Sequence, residues 1–284
     1  MGSATREAVA AAKAALAGQP GAADLALGEE LFAAGRVIGD STQLRSILSD
    51  PSADPAAKAK IIERIFGSLS AKTRGFISGL VNSRWSNQTD LLAGIEELGL
   101  RVMALSVDDS AADDSSADDS SADDSAADGT VDIAAELFAF GTVVSSNAEL
   151  ELALGSKLGE TQAKADLVRA LLGHKASEQT VAIVRHLVQQ PRGRRIHALL
   201  GGAAAIVADQ AGLAIATVTT ATPLAADQLS QLQSRLSVSY GRQLGINLVI
   251  DPELIGGVRV QIGDDIIDDT VATRLGDLKL QLAG

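Results

Sequence analysis

Over roughly the first two thirds of the chain, apolar residues recur at helical spacing. Ile61, Ile62, Ile65 and Phe66 stand at i, i+1, i+4 and i+5, which places them on one face of a helix, and Phe76, Ile77, Leu80 and Val81 repeat the pattern. Leu91, Leu92, Ile95 and Leu98 form the apolar face of a further helix over 87–105. The Ala-rich run 3–17 reads as an opening helix. Lys13 interrupts it and argues against a secretion signal. Asp50-Pro51, Asp54-Pro55 and Gly67 mark helix boundaries. Beyond about residue 213 the period shortens to two. Residues 213–220, 246–250 and 258–262 read as strands, the last from Val258, Val260 and Ile262 alternating with Arg259 and Gln261.

The helical pattern occurs twice. Glu30-Leu31-Phe32-Ala33 returns as Glu136-Leu137-Phe138-Ala139, Gly35 as Gly141, Val37 as Val143, Leu44 as Leu150 and Gly67 as Gly173. Between 26–67 and 132–173 the ungapped register holds 12 identities in 42 positions, a shared spacing that implies a duplicated domain. One residue of insertion later, Thr73, Leu80 and Val81 match Thr180, Leu187 and Val188. Each copy should be a bundle of five or six short helices. The 87–105 helix suits either copy, closing the first or opening the second.

The last part reads as a small α/β module. Pro223 is expected to open a helix running to about Tyr240, with Leu229, Leu232 and Leu236 inward. Gly263-Asp264-Asp265 should turn into Ile266-Ile267, and Thr270 should cap a final helix carrying Val271, Leu275, Leu278 and Leu282. Gly256 and Gly257 should allow a bend and a close backbone approach into the third strand. The expected fold is therefore α+β. It has a helical copy over 1–105, an acidic disordered linker over 106–130, a second copy over 131–210 that can share helix 87–105, and an α/β domain over 211–284.

Charge changes the picture only locally. The net charge is −12, yet the nine Asp of residues 108–128 account for most of it, leaving −12 + 9 = −3 elsewhere. Aromatics at 2% and the lack of a basic stripe exclude the usual nucleic-acid surfaces. Within the Asp-rich run, Asp124, Asp128 and Gly129 occupy positions 1, 5 and 6 of a calcium loop. Ala126 and Ala135 stand where ligands are needed, so a passive linker is the better reading. With no Cys there is no thiolate chemistry, and His174, His186 and His197 are too far apart in sequence for a metal motif and read as surface or helix-edge residues. Gly201-Gly202 reads as a close helix contact or kink rather than a phosphate loop. Asp264, Asp265, Asp268 and Asp269 shape a turn and a helix start more readily than a catalytic carboxylate pair. Trp85 is either a partner anchor or a plug at a bundle corner. No catalytic residue, metal or cofactor is expected.

The C-terminal stretch resembles the signature of the F-type ATP synthase delta subunit family, which includes the mitochondrial oligomycin-sensitivity-conferring proteins. Leu244, Ile246, Ile250, Asp251, Leu254, Gly256, Gly257, Val258, Val260, Gln261 and Gly263 keep that signature's spacing. VTTATPL at 218–224 and LVNSRW at 80–85 are similar to further family elements, while Asp269 stands where the family usually has Gly. The second helical copy resembles the longer, actinobacterial-type members. The resemblance implies a non-catalytic stator connector at the cytoplasmic face of the cell membrane, peripheral and without membrane insertion. It implies that N-terminal helices of alpha subunits bind between the first and fifth helices of a bundle, and that the α/β module meets subunit b. Carried onto this sequence, the helix-binding residues are Ala8, Ala12, Phe76 and Leu80 in copy one. In copy two they are Ile183 and Leu187, with Leu92 and Ile95 if the helix is shared. The alternative reading is a helical adaptor for other amphipathic helices.

Overall fold

A computed structural model describes residues 2–19, 21, 23–106, 122–156, 159–241, 244–251, 254, 256–262 and 265–268. Helix α1 spans Ser3–Ala17, α2 Leu25–Asp40, α3 Thr42–Ser49, α4 Pro55–Phe66, α5 Ala71–Asn82 and α6 Gln88–Leu105. Most of these helices start where a short polar side chain accepts an otherwise unpaired backbone N–H. Asp24, Ser41, Asp54, Ser70 and Asn87 cap α2 to α6 in turn, and Pro55 occupies the first turn of α4. The second series is α7 Ala122–Ser146, α8 Ala148–Gly155, α9 Thr161–Leu172, α10 Glu178–Gln189 and α11 Ile196–Gln210. Its caps Asn147 and Ser177 stand where Ser41 and Ser70 stand in the first series.

The repeat is visible in hydrogen bonds as well as letters. The Glu30 carboxylate on α2 accepts from the Ser70 N–H at 3.1 and 3.2 Å and from the Thr73 hydroxyl, tying α2 to the start of α5. Glu136 on α7 does the same at the start of α10. It accepts from the Ser177 N–H at 3.0 and 3.1 Å and from the hydroxyls of Ser177 and Thr180 at 2.7 and 2.5 Å. Gly35 lies against Ile95 and Gly141 against Leu200, so α2 approaches α6 as α7 approaches α11.

Two apolar clusters form the helical cores. The first gathers residues such as Leu31, Ile38, Ile62, Phe66, Ile77, Val81, Leu91 and Leu98. The second gathers Ile133, Leu137, Val168, Val184, Val188, Leu200 and Val207. Helix α6 contributes to both, with Leu91, Leu92 and Ile95 in the first and Leu100, Met103 and Ala104 in the second. Phe32, from α2, also belongs to the second cluster. In α4 and α9 only part of the expected apolar face is buried: Ile62, Phe66 and Val168 turn inward, while Ile65 and Leu171 remain exposed in equivalent places.

The C-terminal sheet has the strands β1 Ala214–Thr220, β2 Leu244–Ile250, β3 Val258–Ile262 and β4 Asp265–Asp268, in the order β2-β1-β3-β4. β1 and β2 are parallel and need a crossover, which helix α12 (Ala226–Tyr240) supplies; the other pairings are antiparallel. Ala216, Val218, Leu244, Val260, Ile262 and Leu236 form its core, and Leu213 and Ile215 pack against the second helical cluster.

Several expectations shift. Residues 122–130, assigned to the acidic linker by composition, are helical and open α7. Helix α12 starts at Ala226 rather than Pro223, where Gln228 Oε1 accepts from the Ala225 N–H at 3.0 Å. β4 is a strand where only a turn into Ile266-Ile267 was expected, because pairing with Val260 and Gln261 outweighs the acids at its ends. Added Cβ atoms at Gly201 and Gly202 would meet nothing within 4 Å, so these glycines mark no close helix contact. Gly256 (φ 67°) and Gly257 (φ 89°) do occupy the left-handed region that side chains disfavour. Gly263, Asp264 and the expected final helix from Thr270 lie outside the described residues, as do residues 107–121.

Candidate partner-binding grooves

Helices α1 and α5 cross the first bundle side by side and leave a groove of about 350 Å3 between them. One wall is Ala11, Ala12 and Ala15, the other is Gly75, Phe76, Gly79 and Leu80, and Leu98 of α6 reaches the floor. Small residues keep the walls low. Cβ atoms added at Gly75 or Gly79 would meet nothing within 4 Å, and both glycines are exposed. Lys72, Gln19 and Ser83 complete the lining with polar groups. Such a trough accepts bulky apolar side chains projecting from a helix laid along it.

The repeat places Ala182 and His186 of α10, and Gln190 just after it, where the first bundle has Gly75 and Gly79 of α5 and Ser83 just after it. This second face is narrowed by α2 of the first bundle to a cleft of about 370 Å3, lined by Ala182, Arg185, His186 and Gln189 of α10 and by Glu29, Phe32 and Arg36 of α2. Ala182 is 7% and His186 3% exposed, because α2 of the first bundle runs across them. The rings of Phe32 and His186 stack with centroids 4.1 Å apart and planes 8° from parallel. Arg36 Nη1 lies 3.4 Å from His186 Nδ1, and the Gln190 amide donates to the Arg36 carbonyl at 3.1 Å and to Asp40 at 3.3 Å. Arg185 and Glu29 form a 3.7 Å ion pair at the edge. With Arg36 donating to Nδ1, the neutral ring carries its proton on Nε2, which faces the Glu96 carboxylate of α6 at 3.7 Å. Burial pushes the His186 pKa below its usual value despite that carboxylate.

Glu96 is the centre of a charge cluster between the bundles. Arg194 donates to both its oxygens at 2.9 Å, and Arg192 donates to one. Burial by itself would raise the Glu96 pKa. The facing His186 Nε2, the hydrogen bonds from Arg194 and the charges of Arg192 and Arg194 override it and lower the pKa to about 2. A second tie joins α1, α6 and α11: Asp209 accepts from Lys13 at 3.1 Å and from Arg101 at 2.9 Å.

The structure brings together Ala12, Phe76 and Leu80 on the α1/α5 groove, whereas Ala8 lies below it in the first core. Leu92 and Ile95 are also first-core residues, 4% and 1% exposed, and Ile183 and Leu187 are second-core residues at 0% and 1%. The described signature residues occupy β2, β3 and the turn between them. Trp85 is 7% exposed and donates its indole N–H to the Leu80 carbonyl at 2.8 Å, which makes it a corner plug rather than an exposed anchor. His186, expected at a surface or helix edge, is instead buried between the bundles. Its aromatic partner Phe32 sits in another copy of the repeat, a contact that no local pattern announces. Among the described residues no group of three or more His, Asp or Glu forms a metal site, and no helix is long and apolar enough to cross a membrane.

Known proteins match this sequence along its length. The family model described as ATP synthase delta (OSCP) subunit matches residues 122–282, from the start of α7 through the α/β module, and leaves the first bundle outside the match. The "ATP synthase subunit delta" of Leifsonia xyli is 52% identical over 284 residues, all of both chains. Those of Streptomyces griseus and Pseudarthrobacter chlorophenolicus are 37% and 35% identical, again over the whole of both chains. Matched by the family model over more than half its residues and by these relatives from end to end, the chain belongs to the ATP synthase delta (OSCP) subunit family.

Proposed function

We propose that this chain holds an N-terminal helix of an alpha subunit in its α1/α5 groove and meets the C-terminal region of subunit b through its α/β module. Membership of the family sets the coarser role. The chain is a non-catalytic stator component that links the catalytic head of an F-type ATP synthase to the peripheral stalk. Holding the head still while the rotor turns is what couples proton flow to ATP synthesis.

The observation that carries the finer reading is the open, small-walled groove beside Phe76 and Leu80. An amphipathic helix laid there buries its apolar stripe against Ala12, Phe76, Leu80 and Leu98, and the exposed Lys72 at the mouth favours an acidic residue on its flank. A joint under torque needs slow release, for which nanomolar affinity, roughly −12 kcal/mol, is the natural scale. The same reading takes 1–105 and 131–210 as helical copies that share α6, with 106–130 between them and 211–284 as the module facing subunit b. Regulation or adaptor binding of unrelated helices has no separate observation in its favour.

Calorimetric titration with a peptide of the alpha N-terminus tests the reading. We expect one-to-one binding, weakened roughly tenfold or more, about 1.4 kcal/mol, by Gly79→Leu, whose Cβ meets nothing within 4 Å and whose longer side chain takes up space in the groove. Failure to bind both that peptide and a C-terminal fragment of subunit b sinks it.

A further inference from the structure

We infer that helix α2 is a built-in occupant of the second bundle's groove, so the chain offers one vacant seat for a partner helix, on the first bundle, and keeps the equivalent seat filled by α2, beside which a cleft of about 370 Å3 remains. The identity of the partner rests on the function proposed above; the occupancy by α2 does not.

Duplication supplies the argument by presenting the same groove twice. The wall built from Gly75 and Gly79 of α5 and Ser83 just after it is built in the second bundle from Ala182 and His186 of α10 and Gln190 just after it. In the first bundle the two glycines are exposed to an empty trough. In the second, a helix is already seated: Phe32 stacks on His186, and Arg36 and Asp40 bind Gln190. Even the backbone fit is close, since a Cβ added at Gly39 would lie 2.6 Å from the Gln190 amide. Shape explains the division of labour. His186 offers a flat ring on which Phe32 of the same chain stacks, whereas glycine at the matching place offers no side chain to the groove. The seated helix also indicates what the vacant seat takes: a helix that sets a large aromatic or branched apolar residue over Gly79, as Phe32 is set over His186.

The chain has no cysteine, so single thiols report each seat cleanly. In the full-length protein, Gly75→Cys and Ala182→Cys would each be treated with a soluble maleimide, with thermal melts confirming that both variants fold. We expect Gly75→Cys to react about tenfold faster, because Gly75 is exposed whereas Ala182, 7% exposed, is reached only along the cleft beside α2. Equal rates overturn the occupancy by α2. Adding the alpha N-terminal peptide should slow labelling of Gly75→Cys and leave Ala182→Cys unchanged. Protection of Ala182→Cys overturns the inference even if alpha is the partner. Protection of neither thiol, with the rate contrast intact, overturns the partner assignment and supports the occupancy by α2.

Discussion

The two helical bundles share a sequence pattern, their caps and a carboxylate clamp, yet they differ in what lies on the fifth helix of each. In the first bundle Glu30 fastens α2 to the start of α5, and the outer face of α5 stays bare. In the second Glu136 fastens α7 to the start of α10 in the same way, and the outer face of α10 lies under the neighbouring bundle. The internal framework is therefore a property of the repeat, while exposure of the groove depends on having a neighbour. The face that stands free on the first bundle is, on the second, part of the joint between the two.

Removing Phe32 should break this comparison most severely. Phe32 and Phe138 are the same residue in the two copies, but Phe32 is 1% exposed and reaches into the second core, whereas Phe138 is half-buried. Phe32→Ala should cost about 3–5 kcal/mol, and Phe138→Ala clearly less. Chemical denaturation of the two variants measures the difference. Equal losses would mean that the joint between the bundles contributes little.

Next in size is the charge cluster at Glu96. Glu96→Ala leaves Arg192, Arg194 and the buried His186 ring without their carboxylate, and a loss of about 3 kcal/mol is expected because removing one partner of a buried pair strands the other. Acid should reach the same joint. The pKa of Glu96 is lowered in the folded state to about 2, so its contribution is complete above the ordinary carboxylate value of 4.5 and fades as pH falls from there toward 2. His186 is also lowered, from 6.5; below that value the unfolded chain takes up a proton that the folded ring refuses, and stability falls further as pH drops. Both groups act in the same direction. A pH series of denaturation curves should show stability declining from about pH 6.5 downward, with the limb below 4.5 flattened in Glu96→Gln. A limb as steep in Glu96→Gln as in the parent would remove Glu96 from the account.

How far this comparison was legible in the sequence follows from its physics. Helical periods, caps and the duplication are local or near-local signals, and Ser70, Asn87 and Ser177 stand where the helices begin. Gly256 and Gly257 likewise declared a special backbone conformation. The groove residues were only partly legible. Helical spacing distinguishes an inward face from an outward one but does not say which inward residues reach the rim. Phe76 and Leu80 are first-core residues that also line the α1/α5 groove, while Ile183 and Leu187, at the same places in the repeat, belong to the second core and line neither that groove nor the cleft beside α2. His186 was misplaced because its burial comes from a helix about 150 residues away. β4 was missed because two isoleucines between acids look like a turn until a partner strand supplies the pairing.

The smallest effect sharpens the comparison from the opposite side, by testing what the copies share. Glu30→Gln and Glu136→Gln each keep the shape of the clamp and remove its charge. In both, the acceptor for a cap N–H and its hydroxyls is weakened rather than lost. At Glu30, burial favours the protonated form, but bonds from Thr73 and Ser70 lower the carboxyl pKa, so the charged form is the one that the clamp stabilises. Hydrogen bonds to a charged acceptor contribute about 1.5–3 kcal/mol and neutral ones about 1 kcal/mol, so each substitution should cost on the order of 1 kcal/mol. The two losses should agree within a few tenths, and the double variant should show their sum, because the clamps share no partner. A strongly unequal pair would show that the clamp belongs to one bundle's surroundings rather than to the repeat.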